Sequence, residues 1–158
     1  MPYAILALAL VALDQLVKFF VVEHIPLNGH MDFIPHLLEL TYVKNTGAAF
    51  SILKEHTWIL TLISLVLSVV LAVAVFKAAF RHPFGRSALT LLLAGAVGNL
   101  IDRVRLSYVV DMFNTLFMTF PVFNVADICV VVGGIAAALY YGLYADKVEP
   151  RLREGGRA

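Results

Sequence analysis

Asp111 and Asp127 flank the aromatic segment Phe117-Met118-Thr119-Phe120-Pro121-Val122-Phe123-Asn124, in a chain that is otherwise nearly all lipid-soluble. A carboxylate in or beside hydrocarbon costs on the order of a few kcal/mol on insertion scales and more in simulations, so such residues usually mark a functional site. Two carboxyls together point to acid/base chemistry, in which one gives a proton while the other takes one. The elements around them must therefore hold two ionisable groups at the edge of a membrane.

Composition requires the membrane: 61% of the 158 residues are hydrophobic, 15% are charged, and mean hydropathy is +0.87. A soluble domain of this size rarely has such a profile. With 12 basic against 11 acidic residues, the charge balance gives no reason to propose nucleic acid as a partner. The single cysteine, Cys129, has no partner for an internal disulfide and no His close in sequence, so it reads as a small buried apolar residue.

Four apolar stretches, over about 2–22, 57–76, 87–104 and 123–144, are separated by breakers. Crossing the hydrocarbon takes about 20 helical residues. The third reaches that length only if the helix runs on through Asp102. The first has no Lys or Arg ahead of it and exceeds the apolar core of a signal peptide, so it is read as a retained span. Lys77, Arg81, Arg86, Lys147, Arg151, Arg153 and Arg157 fall on one side, against Lys44, Lys54, Arg103 and Arg105 on the other. The larger group predicts that both termini are cytoplasmic. Tyr140, Tyr141 and Tyr144 fit an aromatic belt there, and the tail over 145–158 is expected to be disordered.

The expected fold is thus an all-α membrane protein, one domain over 1–158. It has four transmembrane helices and a small extracytoplasmic β-rich segment between the first and second. That segment alternates around Phe33 to Val43, and Asn45 to Phe50 reads as a closing turn. With this topology, Asp14 and Lys18, then Asn99, Asp102 and Arg103, then Asn124 and Asp127 all lie toward the outer face.

Each cluster also has a plainer reading. Asp14 and Lys18, at i and i+4, suit a mutually neutralising structural pair. Asn99, Asp102 and Arg103 share a helical face and suit an interfacial polar network, and Asn124 with Asp127 suits a helix start. Asp111 has no such explanation. Gly95, Gly98, Gly133 and Gly134 suit close helix packing, and His24, His30, His36 and His56 lack metal-ligand spacing. Phe113, Phe117, Phe120 and Phe123 suit the lipid side of a site or interfacial anchoring.

Five motifs stand in order: Asp14-x-x-x-Lys18, Asn45-x-Gly47-Ala48-Ala49-Phe50, Gly98-Asn99-x-x-Asp102-Arg103, Val109-Val110-Asp111, and Phe120-Pro121-Val122-Phe123-Asn124-x-Ala126-Asp127. In this order they resemble the lipoprotein signal peptidase, or signal peptidase II, family over nearly the whole chain. The resemblance implies an aspartic endopeptidase of the bacterial cytoplasmic membrane that cleaves prolipoproteins before a diacylglyceryl-modified cysteine. Asp111 and Asp127 are then the catalytic pair, and Asn45, Asn99, Arg103 and Asn124 are substrate-binding or supporting positions. Met112 and Ile128 are small departures that touch no catalytic side chain.

Peptide hydrolysis by two carboxyls needs one ionised and one protonated. Asp127, near a helix N-terminus, suits the charged role. Asp111, among Val109, Val110 and Met112, suits the protonated one, although the pair titrates as a unit. No cofactor or metal is expected, and the partners are the prolipoprotein and membrane lipid, with the protein a monomer. The alternative is a small ion- or proton-coupled transporter, for which charges nearer the midplane and repeated halves would be expected.

Overall fold

In a computed structural model of the chain, residues 1–47, 57–145, 148 and 150 are described. The order is α1 (Pro2–His24), β1 (His30–Ile34), β2 (Leu38–Asn45), α2 (Thr57–Phe76), α3 (Pro83–Leu106), β3 (Val109–Thr115) and α4 (Val125–Tyr140), which runs on into a π-helical turn, Tyr141–Ala145. Four helices, counting α4 with its turn, are long and apolar enough to cross a membrane, with mean hydropathies of 2.2, 3.0, 1.4 and 1.9.

The third span is the least hydropathic because it is the central one. Half of its apolar stretch is buried inside the bundle, against 17% to 22% for the others, so small and polar residues replace lipid-facing ones. It is also longer than the 87–104 expected. Pro83 starts it without losing a helical hydrogen bond, and Nδ1 of His82 accepts the Phe84 amide at 3.3 Å. At its other end Ser107 adopts a left-handed conformation (φ 63°) and returns its amide to the Arg103 carbonyl, turning the chain into β3.

Glycines let the helices close on α3. A Cβ on Gly98 would lie 2.7 Å from Oδ2 of Asp14, and one on Gly95 would collide with the Ala126 carbonyl. Gly133 is equally tight against α3, 2.8 Å from the Leu92 amide. Gly134 is not, since only Leu92 Cδ2 at 4.0 Å would meet its Cβ. Leu71, Val75, Leu93 and Ala96 form the apolar seam between α2 and α3.

The sheet is antiparallel in the order β1-β2-β3. Two strands lie between α1 and α2 as expected, whereas β3, between α3 and α4, is a strand that sequence patterning did not assign. Val21 and Ile25 at the end of α1 pack under Leu40, Tyr42, Val110 and Met112, which fixes the sheet on the helices. Of the three tyrosines expected in a belt, Tyr141 and Tyr144 are exposed, but Tyr140 is fully buried against Phe80, His82 and Phe84. Ala145, the first residue of the tail expected to be disordered, belongs to the terminal turn and is buried. Apart from Val148 and Pro150, the rest of that tail lies outside the described residues, as does the turn expected beyond Gly47.

Candidate active site

Asp111 comes from β3 and Asp127 from the first turn of α4, and Asn124 joins them. Its Nδ2 donates to Oδ1 of Asp111 at 2.7 Å, its Oδ1 accepts the Asp127 amide at 2.8 Å, and its own amide donates to Oδ2 of Asp127 at 3.2 Å. The last two bonds form a capping box that starts α4. The helix-start reading and the acid-pair reading therefore describe the same residues. The chain reaches Asn124 in the right place because Phe123 pairs with Phe113 of β3, exchanging amide and carbonyl bonds of 2.8 and 3.2 Å.

Each carboxyl has a second asparagine. Asn45 Nδ2 donates to Oδ2 of Asp111 at 2.9 Å, and Asn99 Nδ2 donates to Oδ1 of Asp127 at 2.8 Å. Asn45 reaches Asp111 through a register shift between β2 and β3. Leu40 faces Phe113 but Val43 faces Asp111, so β2 carries one extra residue. Side chains alternate along a strand, so that residue brings Val43 and Asn45 to the side of the sheet that Asp111 occupies. An unshifted ladder would turn Asn45 away.

Lys18 lies 2.9 Å from Oδ2 of Asp14, and also 2.9 Å from Oδ2 of Asp102. The pair expected from i, i+4 spacing is present, but it is one arm of a buried acid-lysine-acid cluster. Lys18 further donates to Oδ1 of Asn99 at 3.2 Å. Arg103 is half-buried beside the dyad and donates to Oγ of Ser64 at 3.3 Å and to the Asn99 carbonyl at 3.5 Å.

The sequence model of the family described as signal peptidase (SPase) II matches residues 6–143. The chain belongs to the signal peptidase II family. Proteins named lipoprotein signal peptidase from Streptococcus agalactiae and Enterococcus faecalis are each 44% identical, over 129 and 141 residues, covering 82% and 87% of this chain and 84% and 86% of theirs. Two solved structures described as bacterial membrane enzymes superpose with TM-scores of 0.84 and 0.80 at 31% and 32% identity. They cover 92% and 89% of this chain and 90% and 92% of the others. The family is one of proteases, and with its four apolar helices this member is a multi-pass membrane protein.

In this signal peptidase II family member a cavity of about 900 Å³ opens beside both carboxyls. Asn45, Asn99 and Arg103 supply polar groups to it, while Phe120, Val122, Phe123, Ile128, Val130, Val131 and Val132 supply apolar wall. Of the four phenylalanines considered for the lipid side, Phe120 and Phe123 line this cavity. Phe113 packs against the core under the sheet, and Phe117 projects from an exposed turn. Burial, and after it the charge of Asp127, push the Asp111 carboxyl up to about 7, against the opposing pull of Asn45, Asn124 and Lys18.

Four residues around the site were not singled out from sequence as site members. Asp102 stood in the motif and on the helical face that carry Asn99 and Arg103 but was given no site role, and Gln15 was visible only as a neighbour of Asp14. Ser64 is one of several hydroxyls on α2 and carries no distinguishing local signal. Lys44 lines the cavity rim with its ammonium 4.9 Å from the Tyr108 ring.

Proposed function

We propose that the protein removes signal peptides from prolipoproteins by an aspartic mechanism, cutting before the diacylglyceryl-modified cysteine with Asp111 and Asp127 as the catalytic pair. The observation that carries this reading is that the two carboxyls, one from a strand and one from a helix start, share Asn124 as a hydrogen-bond partner at the wall of the cavity. The relatives named lipoprotein signal peptidase support the substrate class.

Asp111, held near neutrality in its proton affinity, carries the shared proton, while Asp127 is ionised. Asp127 takes a proton from water as the hydroxide adds to the scissile carbonyl carbon, and Asp111 gives its proton to the carbonyl oxygen. Collapse of the tetrahedral intermediate returns a proton to Asp111 and sends the one on Asp127 to the leaving nitrogen. Asn45 and Asn99 hold the carboxyls, and the remaining donors of Arg103 face substrate carbonyls. The apolar wall formed by Phe120, Val122 and Val130 to Val132 suits acyl chains, so the lipid stays in the bilayer while the peptide enters. The site belongs to the extracytoplasmic face of the bacterial cytoplasmic membrane, with both termini cytoplasmic and the protein acting as a monomer.

The test is cleavage of a diacylglyceryl-modified prolipoprotein by purified Asp111→Asn and Asp127→Asn. Asn keeps the shape and cannot exchange the proton, so each variant should be folded and inactive. Near-normal turnover by either would rule out the aspartic mechanism.

A further inference from the structure

Beneath the carboxyl pair lies a second polar cluster that the proposed chemistry does not use. Asp14, Lys18 and Asp102 are each at most 3% exposed. Asp14 Oδ1 accepts the amide of Ala126 at 2.9 Å, one residue before Asp127. Asp102 Oδ2 accepts the amide of Val110 at 3.0 Å, one residue before Asp111. Lys18 bridges the two acids, and Gln15 Nε2 repeats the bridge at 3.2 Å to Asp14 and 3.0 Å to Asp102. The backbone preceding each aspartate is thus tied to one of two acids, and those acids are tied to each other twice. We propose that Asp14, Gln15, Lys18 and Asp102 form a clamp that sets the separation of the Asp111 and Asp127 carboxyls, acting as positioning residues.

Ala126 is the second residue of α4, where an amide has no helical acceptor, and Val110 is the second residue of β3, just after the chain leaves α3. A carboxylate from a neighbouring helix satisfies each, so the start of α4 and the start of β3 are referenced to α1 and α3. Gly98 makes room for the clamp, because any side chain there would press on Asp14.

Lys18 adds an orientational constraint. An ammonium only donates, so Asn99 must turn its oxygen toward Lys18 and its amide nitrogen toward Asp127. The same oxygen accepts Asn124 Nδ2 at 3.1 Å. One buried cation thereby fixes which end of Asn99 meets Asp127 and favours the orientation in which Asn124 donates to Asp111.

This role rests on Asp111 and Asp127 being the catalytic pair, and the experiment reads the two ideas apart. Asp14→Leu, Asp14→Asn, Asp102→Leu and Asp102→Asn are made in the full chain. Loss of either acid leaves Lys18 paired with the other, so the variants should fold. Hydrogen exchange, followed by mass spectrometry, reads the amides without any dependence on catalysis. Exchange at Val110 should rise roughly tenfold in Asp102→Leu but not in Asp14→Leu, with the reverse at Ala126. With the lipidated prolipoprotein, kcat per folded molecule should fall about 100-fold in the Leu variants while KM moves little. Asp102→Asn, whose oxygen can still accept both the Val110 amide and Lys18, should recover most of that loss, whereas Asp14→Asn, which would turn an amide nitrogen toward Lys18 or toward the Ala126 amide, should recover less. Folded Leu variants with unchanged exchange, or with wild-type kcat, would overturn the clamp. Turnover by Asp111→Asn or Asp127→Asn would instead overturn the catalytic pair and leave the exchange result standing.

Discussion

Asn124 and Asp127 satisfy each other's backbone amides, with bonds of 2.8 and 3.2 Å, and this reciprocal closure leaves the Asn124 side-chain nitrogen free to reach Asp111. One residue thus starts a transmembrane helix and orients a carboxyl from another element. The two duties should separate on mutation. Asn124→Ser keeps an oxygen for the Asp127 amide but cannot extend to Asp111, so it should lose about 100-fold in kcat through misplacement with a modest change in thermal stability. Asn124→Ala loses the cap as well and should be less stable than the Ser variant by about 1 kcal/mol. Thermal unfolding in detergent and turnover of the lipidated substrate measure both. Equal stability of the two variants would remove the capping role.

Removing Lys18 should do more damage than removing Asp14. Sequence spacing alone suggests that either loss strands one charge and that removing both restores balance. With Asp102 also 2.9 Å from the ammonium, Asp14→Leu leaves a neutral pair, whereas Lys18→Leu strands two buried carboxylates. Breaking a buried ion pair costs about 3 to 5 kcal/mol, so Lys18→Leu should lie at or beyond that range and Asp14→Leu well below it. The Asp14→Leu/Lys18→Leu double variant should recover only part of the loss, since Asp102 stays unpaired. Melting temperatures in detergent order the three, and a full recovery in the double variant would show that Asp102 is not coupled to Lys18.

Acidity at Asp111 gives stability and activity related pH dependences. Its carboxyl is raised to about 7 in the folded protein, mainly by burial and then by Asp127, against about 3.9 for an unfolded aspartate. Between those values the folded chain holds a proton that the unfolded chain has released. The contribution is therefore fully present below the unfolded value and is lost as pH rises through about 7. Unfolding followed from pH 5 to 8 should show a downward slope in the wild type that is shallower in Asp111→Asn. Cleavage should decline over the upper part of the same window as Asp111 loses its proton. A wild type and Asp111→Asn with parallel stability profiles would show that Asp111 does not titrate there.

Membrane sidedness can be read by labelling. In a Cys129→Ala background, a cysteine replacing exposed Phe117 should react with an impermeant thiol reagent from outside the cytoplasmic membrane. One replacing exposed Arg81 should react only from inside. Cys129 is itself buried at 6% exposure, so its removal should alter packing only slightly. The opposite pattern would put the carboxyl pair on the cytoplasmic side.

By itself the sequence determined the four spans, because about 20 apolar residues are a local property that any long helix in lipid must have. It also determined the helix start at Asn124, since capping is decided within a few residues, and it singled out Asp111 and Asp127 as ionisable groups in an apolar chain. The tertiary structure alone decided what depends on residues far apart in the chain. The third strand was illegible because Val109 to Thr115 becomes a strand by pairing with β2, and the extra residue in β2 that aims Asn45 at Asp111 exists only once those strands are in register. The acid-lysine-acid cluster was illegible for the same reason. Spacing puts Asp14 and Lys18 on one face of α1, but only the packing of α1 on α3 brings Asp102 to the same ammonium, and with it the backbone before Asp111 and the backbone before Asp127.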